Sequence, residues 1–135
     1  ARTLPFACAQ TGVRLRKAYA LATEGKADLQ QSYGLQNDPD FLASVISSFD
    51  ATRCDRAIAR MKATGMVYVP THVTRRLDAF AAQPEFRNDP RLRYVGSAAR
   101  AAWAEDVEFY ARQPLAAQAV FQDFYVHGLQ LTGRA

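Results

Sequence analysis

The residue pattern predicts a mainly α-helical fold with at most one or two short strands, and three observations carry that prediction. Apolar residues recur at three- and four-residue spacing in segment after segment. Asp, Pro and Gly fall where those helices should begin and end. One run only, Met66 to Val69, has the short, apolar, β-forming composition of a buried strand. At 135 residues, the chain is long enough for one domain with a sizeable core. It reads as a single helical domain over residues 1–135, or as a fragment of something longer. Its 49% hydrophobic and 22% charged residues separate it from chains too polar to fold.

The elements follow in order. Ala1 to Ala9 is small and apolar, broken by Pro5, and begins abruptly without a Met, as a chain cut from a longer one would. Thr11 and Gly12 can open a helix through Val13, Leu15, Ala18, Tyr19 and Ala22, stopped by Gly25. Ala27 to Tyr33 reads as a further helical turn or two ended by Gly34. Asn37-Asp38-Pro39-Asp40 is a turn signal with Pro at a first helical position. Phe41, Leu42, Val45, Ile46 and Phe49 then form an apolar stripe at helical spacing. Asp50 is placed to cap the next helix, whose face carries Cys54, Ala57, Ile58 and Met61 and which Gly65 ends.

Met66 to Val69 is then expected as a strand closed by Pro70, which cannot donate to a ladder, so that residues 50–74 form a helix–strand unit. Thr74 or Asp78 is expected to start a helix holding Leu77, Phe80 and Ala81 that stops before Pro84. Gln83 to Pro90 reads as a turn-rich loop, and Leu92, Tyr94 and Val95 alternate with arginines as a short extended piece would. From Ser97 the pattern is helical again, with Trp103, Val107 and Tyr110 on one face. After Pro114, Leu115 to Leu131 is the last helix, with Ala119, Val120, Phe121, Phe124 and Leu129 as its apolar side. One strand cannot satisfy its own backbone when buried. Either Met66 to Val69 pairs with strands outside this chain, or it is not a strand here.

The net charge of +4 comes from 17 basic residues, mostly arginines, scattered against 13 acidic ones, with no dense block. That distribution argues against a nucleic-acid module, which would cluster its charge on one helix or stripe. Cys8 and Cys54 have no second Cys or His at zinc-ligand spacing. Cys54 reads as a small buried hydrophobe, with a Cys8–Cys54 disulfide as the alternative. No apolar run approaches the roughly 18 residues of a membrane span, and no signal-peptide pattern opens the chain.

Several of these stretches together resemble an internal segment of metal-dependent amidohydrolases of the imidazolonepropionase-like branch. They are Ala1-Arg2, the Asp50 to Gly65 helix, the run from Tyr68 through Val69-Pro70-Thr71-His72-Val73-Thr74 to Arg75, and Asp89-Pro90-Arg91-Leu92-Arg93-Tyr94-Val95. In that family a strand ending in a metal-binding His leads to a helix, a Gly and a strand finishing in a Pro-Thr pair. A later strand ends in a catalytic Asp within Gly-Thr-Asp. The resemblance implies part of a (β/α)8 barrel, whose chemistry sits at the C-terminal ends of its strands. Met66 to Val69 would be the seventh strand, with Thr71, His72, Val73, Thr74 and Arg75 on the loop above it. Residues before Asp50 and from about Asp78 onward would be helical excursions covering the barrel mouth.

The resemblance further implies a hydrolase acting on an amide, peptide-like or cyclic C–N bond. Its metal, zinc or another divalent ion, makes a hydroxide nucleophile near neutral pH. Family members hold it through a His-x-His pair, often a modified Lys, two further His and the late Asp. This chain has only His72 and His127, no His-x-His and no Gly-Thr-Asp, so it supplies no catalytic residue and no metal ligand. Taken alone, it is expected to be inactive. Thr71, His72 and Arg75 are the candidate substrate-binding residues, placed to meet an anionic group. The expected partners are the remainder of the barrel or a second copy of the chain. A soluble protein of the bacterial cytoplasm or periplasm fits, and nothing in the residues selects between them.

Other candidates read as structure. His127 on the last helix is a surface or core-edge residue. Asp106 and Glu108 point to different faces, which disfavours a two-carboxylate site, and Glu105 with Asp106 is a solvated face. Thr11-Gly12 and Thr132-Gly133-Arg134 are too short for phosphate loops. Trp103, Phe109, Tyr110, Phe121, Phe124 and Tyr125 have the spacing of a core rather than of a base-stacking platform. A different class of function stands beside the hydrolase: a free-standing helical domain for protein interaction or self-association.

Overall fold

Two aspartates set the first well-defined helix starts. Asp38 Oδ1 accepts from the Asp40 amide at 3.0 Å with Pro39 in the first helical position, and Asp50 Oδ1 accepts from the Arg53 amide at 2.8 Å. Each such cap is worth about 1 kcal/mol. The computed structural model describes residues 4–12 and 34–135. Within them lie α1 (Leu4–Cys8), α2 (Pro39–Ser47), α3 (Ala51–Ala63), α4 (His72–Phe80), α5 (Pro84–Arg87), a 3-10 segment (Pro90–Tyr94), α6 (Ser97–Ala111) and α7 (Leu115–Arg134). The fold is mainly helical, as expected. The helices expected over Val13–Ala22 and Ala27–Tyr33 lie outside the described residues, but residues 34–37 are helical, so Gly34 does not end a helix.

The long helix α7 is the hub. α4 and α2 pack against it, α1 bridges it to α3, and α6 closes over α4. Phe6 of α1 stacks on Phe41 of α2 with ring centres 5.9 Å apart and meets Phe124 of α7 at 5.6 Å. All three rings are buried, each contributing about 2 kcal/mol through removal from water. A second, smaller cluster joins Leu4, Cys8, Cys54, Ile58 and Leu131. After α1 the chain runs antiparallel beside the end of α2: Ala9 bridges Phe49, the Gln10 amide donates to Ser48 O at 3.0 Å, and the Asp50 amide donates to Cys8 O at 2.9 Å. The approach is tight enough that a Cβ on Gly12 would lie 1.6 Å from the Phe6 carbonyl oxygen.

Several expectations are corrected. Met66 to Val69 is not a strand, since residues 66–71 run without helix, turn or bend, and no sheet exists among the described residues. The strand lacks the neighbour that a ladder requires. Leu92 to Val95 is not extended either: Asp89 caps Arg91 and the segment winds into the 3-10 turn. Pro84 starts the short α5 inside the expected loop. α4 begins at His72 rather than Thr74 or Asp78, so the expected loop above the strand is largely helix. On α7 the buried face is Ala117, Phe121, Phe124, Gly128 and Leu131, while Ala119 and Leu129 are exposed.

Cys54 is buried but not free. It is disulfide-bonded to Cys8, 46 residues away in sequence, and neither residue is accessible to solvent. Closing a loop of that size stabilises by about 4 kcal/mol in the chain-entropy account. Replacing both cysteines by Ala should lower the urea midpoint by an amount equivalent to about 3–4 kcal/mol. The unmodified chain unfolded in reductant should match the variant. An unchanged midpoint would contradict the covalent link.

Candidate functional site

Thr71, His72 and Arg75 come together. They line a small cleft of about 30 Å³ with Pro5, Tyr68, Pro70, Phe124, Tyr125 and Gly128, where the irregular segment 66–71 delivers the chain onto α4 and α7. Gly65, at φ +65, turns the chain out of α3 and starts that segment. Thr71 occupies the position before α4 without a side-chain capping bond, and its carbonyl accepts from Thr74 Oγ1 at 3.0 Å.

The hydrogen bonds orient His72. Its Nε2 lies 2.7 Å from Thr132 Oγ1, and that hydroxyl donates to Gly128 O at 3.0 Å. A hydroxyl has one proton, so it accepts from His72, which places a proton on Nε2; in the neutral ring Nδ1 is then the acceptor. The ring stands edge-on to Tyr125 at 6.3 Å and lies over Gly128 of α7 at ordinary contact distance.

Arg75 is held from three sides. Its Nη1 donates to Asp78 Oδ2 at 2.8 Å and to Gln36 O at 3.1 Å, and its guanidinium carbon sits 5.2 Å from the centre of the Phe124 ring. Arg75 and Asp78 side chains are 12% and 10% exposed, so this pair is largely removed from water. Nη2 is buried without a hydrogen-bond partner. Most of the charge of Arg75 is thereby committed to the fold, and its reach toward a ligand is through the cleft alone. Tyr110 lies near the same pair; burial first, and then the Asp78 charge, raises its phenol pKa above the ordinary value.

The remaining candidates are placed as follows. His127 packs edge-on to Phe49 at 5.2 Å with Nε2 buried and unpartnered, and burial holds its pKa below the usual histidine value. Asp106 and Glu105 are exposed, whereas Glu108 pairs with Arg87 and Arg112, each at 3.1 Å. Among the described residues, no three His, Cys, Asp or Glu side chains are grouped to hold a metal ion. The sequence reading missed the contribution of Tyr68, Phe124 and Tyr125 to the cleft walls. Its signal was available in part, because Phe124 and Tyr125 precede Gly128 by roughly one helical turn.

No protein-family model matches this chain, and no match was found among curated proteins or solved structures.

Two outcomes test the site's energetics. Arg75→Ala should cost about 3 kcal/mol because it removes the cation that balances the largely buried Asp78 carboxylate. Arg76→Ala, which breaks an ion pair with Glu85 whose partners are half exposed, should cost under about 1 kcal/mol. Equal urea midpoints for the two variants would contradict the structural role of Arg75. For His127, the folded chain binds fewer protons than the unfolded chain below the ordinary value of 6.5. Stability is therefore complete above that pH and declines as the pH falls through and below it. His127→Leu should flatten that part of a thermal-midpoint profile, and an unchanged profile would contradict it.

Proposed function

We propose that this chain is a segment of a metal-dependent amidohydrolase of the imidazolonepropionase-like branch, in which Met66 to Val69 serves as the seventh strand of a (β/α)8 barrel. One observation carries the reading. The segment leaves Met66, Val67 and Val69 62%, 80% and 60% exposed, and the backbone N–H and C=O groups of Val67, Tyr68 and Val69 pair with nothing among the described residues. Apolar β-formers with unpaired backbone are what a parallel strand presents when its neighbours lie elsewhere, because such strands are normally buried on both faces. The same segment carries the Pro-Thr pair of the family and leads directly to the cleft lined by Thr71, His72 and Arg75.

In this reading the helices around α7 cover the barrel mouth, and Thr71, His72 and Arg75 shape the place where a substrate's polar or anionic group lies. The parent enzyme hydrolyses an amide, peptide-like or cyclic C–N bond with zinc or another divalent metal. The described residues do not fit such an ion, since no three ligating side chains are grouped. No hydrolytic step is therefore assigned to them. What this chain contributes is binding and shape: His72 is fixed by Thr132 with Nδ1 available as an acceptor, and Arg75 is fixed by Asp78.

A second reading, a helical domain for protein interaction or self-association, is favoured by the exposure of Tyr94 and Leu115, far from the 66–71 segment in sequence. Sedimentation showing only monomer at high concentration would count against self-association.

The decisive test is the reading frame that encodes the chain. It should contain a His-x-His upstream and a Gly-Thr-Asp downstream, and its zinc-loaded product should hydrolyse members of a dipeptide and cyclic-amide panel. His72→Ala should raise KM in that product. The 135-residue chain with added zinc should show no turnover. A frame without those motifs, or turnover by the chain alone, would refute the assignment.

A further inference from the structure

A second concave surface adjoins the cleft described above, sharing Tyr68 and the α1 wall with it. It is an open groove of about 1020 Å³ between α1, α3 and Met66 to Tyr68. Leu4, Ala7, Ala57 and Met61 supply apolar walls, and among the described residues no acidic side chain lines it. Arg53, Arg56 and Arg60 stand along it on one face of α3. Arg53 donates through Nε to Ala7 O at 3.1 Å. Arg56 and Arg60 are exposed and form no ion pair among the described residues, whereas Arg75, Arg76, Arg87, Arg91, Arg112 and Arg134 all do.

We propose that this groove docks an extended peptide segment of a partner protein in which acidic and apolar residues alternate. Charge complementarity selects the acidic residues, because guanidiniums with no carboxylate partner among the described residues, set beside an apolar surface, recognise carboxylates with two parallel hydrogen bonds each. Spacing selects the extended form. Arg56 and Arg60 are one helical turn apart, a rise of about 6 Å, and alternate residues of a strand repeat every ~6.7 Å. Two carboxylates on one side of a strand therefore meet both arginines in register, while the apolar residues between them point to the strand's other side, toward Leu4 and Ala7 of α1.

The free backbone groups of Val67 and Tyr68 at the groove's edge offer the peptide main chain hydrogen-bond partners, the mode by which strands add to an exposed edge. A second copy of the chain is disfavoured because it would bring cationic rim toward cationic rim on molecules of net charge +4. A bilayer surface is flat and would reach the arginine rim without entering between α1 and α3. In the hydrolase reading the backbone of Val67 and Tyr68 pairs with neighbouring strands, and the proposal then rests on Arg56, Arg60 and the apolar walls alone.

The test is fluorescence anisotropy with a labelled peptide of about eight residues alternating Glu and Val, titrated with the 135-residue chain. Saturable binding is expected, weakened about tenfold or more by Arg56→Glu with Arg60→Glu and much less by Arg56→Lys with Arg60→Lys. Salt raised from about 50 to 500 mM should weaken it several-fold. A peptide alternating Lys and Val should bind about tenfold more weakly, as should one with its Glu residues in a single block. Circular dichroism should show the charge-reversed variant folded, since both positions are exposed. Four results would each overturn the proposal: no saturation, affinity unaffected by charge reversal, tighter binding to phosphatidylserine vesicles than to the peptide, or a dimer that the charge reversal dissolves.

Discussion

The position of α1 depends on one covalent bond, and much of the remaining structure depends on the position of α1. A helix of five residues has no stability of its own. Here it is fixed on one side by the disulfide to α3 and on the other by Phe6 packed against Phe41 and Phe124. Those two attachments bring together the small cluster around Leu131 and the larger core around α7. They also place Pro5 in the wall of the His72 cleft and Leu4 and Ala7 in the wall of the arginine groove. Both concave surfaces therefore share a wall whose location is set by Cys8, Cys54 and Phe6.

What was legible in the sequence was local. Asp38 with Pro39, Asp50 and Gly65 act within a few residues of themselves, and each does in the structure what its chemistry dictates. The face of α6 carrying Trp103, Val107 and Tyr110 was legible for the same reason, since helical spacing alone decides it. The disulfide was not, because pairing across 46 residues is decided by how α1 and α3 dock. Met66 to Val69 shows the opposite case: its composition is that of a strand, but a strand is a relation between segments, and no partner exists among the described residues.

The candidate site was legible in its members and not in their roles. Thr71, His72 and Arg75 follow one another closely enough that the first turn of α4 gathers them whatever the surrounding fold. Their bonding comes from elsewhere. Thr132 and Asp78 decide that His72 is a fixed acceptor and that Arg75 is mostly structural. The same comparison distinguishes arginines such as Arg75 and Arg76, which have a carboxylate in reach, from exposed ones such as Arg56 and Arg60 on α3, which have no ion pair among the described residues.

The backbone of Val67, Tyr68 and Val69 pairs with nothing among the described residues, and amide hydrogen exchange at these three positions tests that most directly. In the 135-residue chain these amides should exchange at nearly the rate of an unstructured peptide, while those of Val45 and Leu77 within α2 and α4 are protected. Under the amidohydrolase proposal, the three amides would become protected in any product that also carries the proposed neighbouring strands. Protection of Val67 to Val69 already in the 135-residue chain, to the level of the helices, would contradict the account.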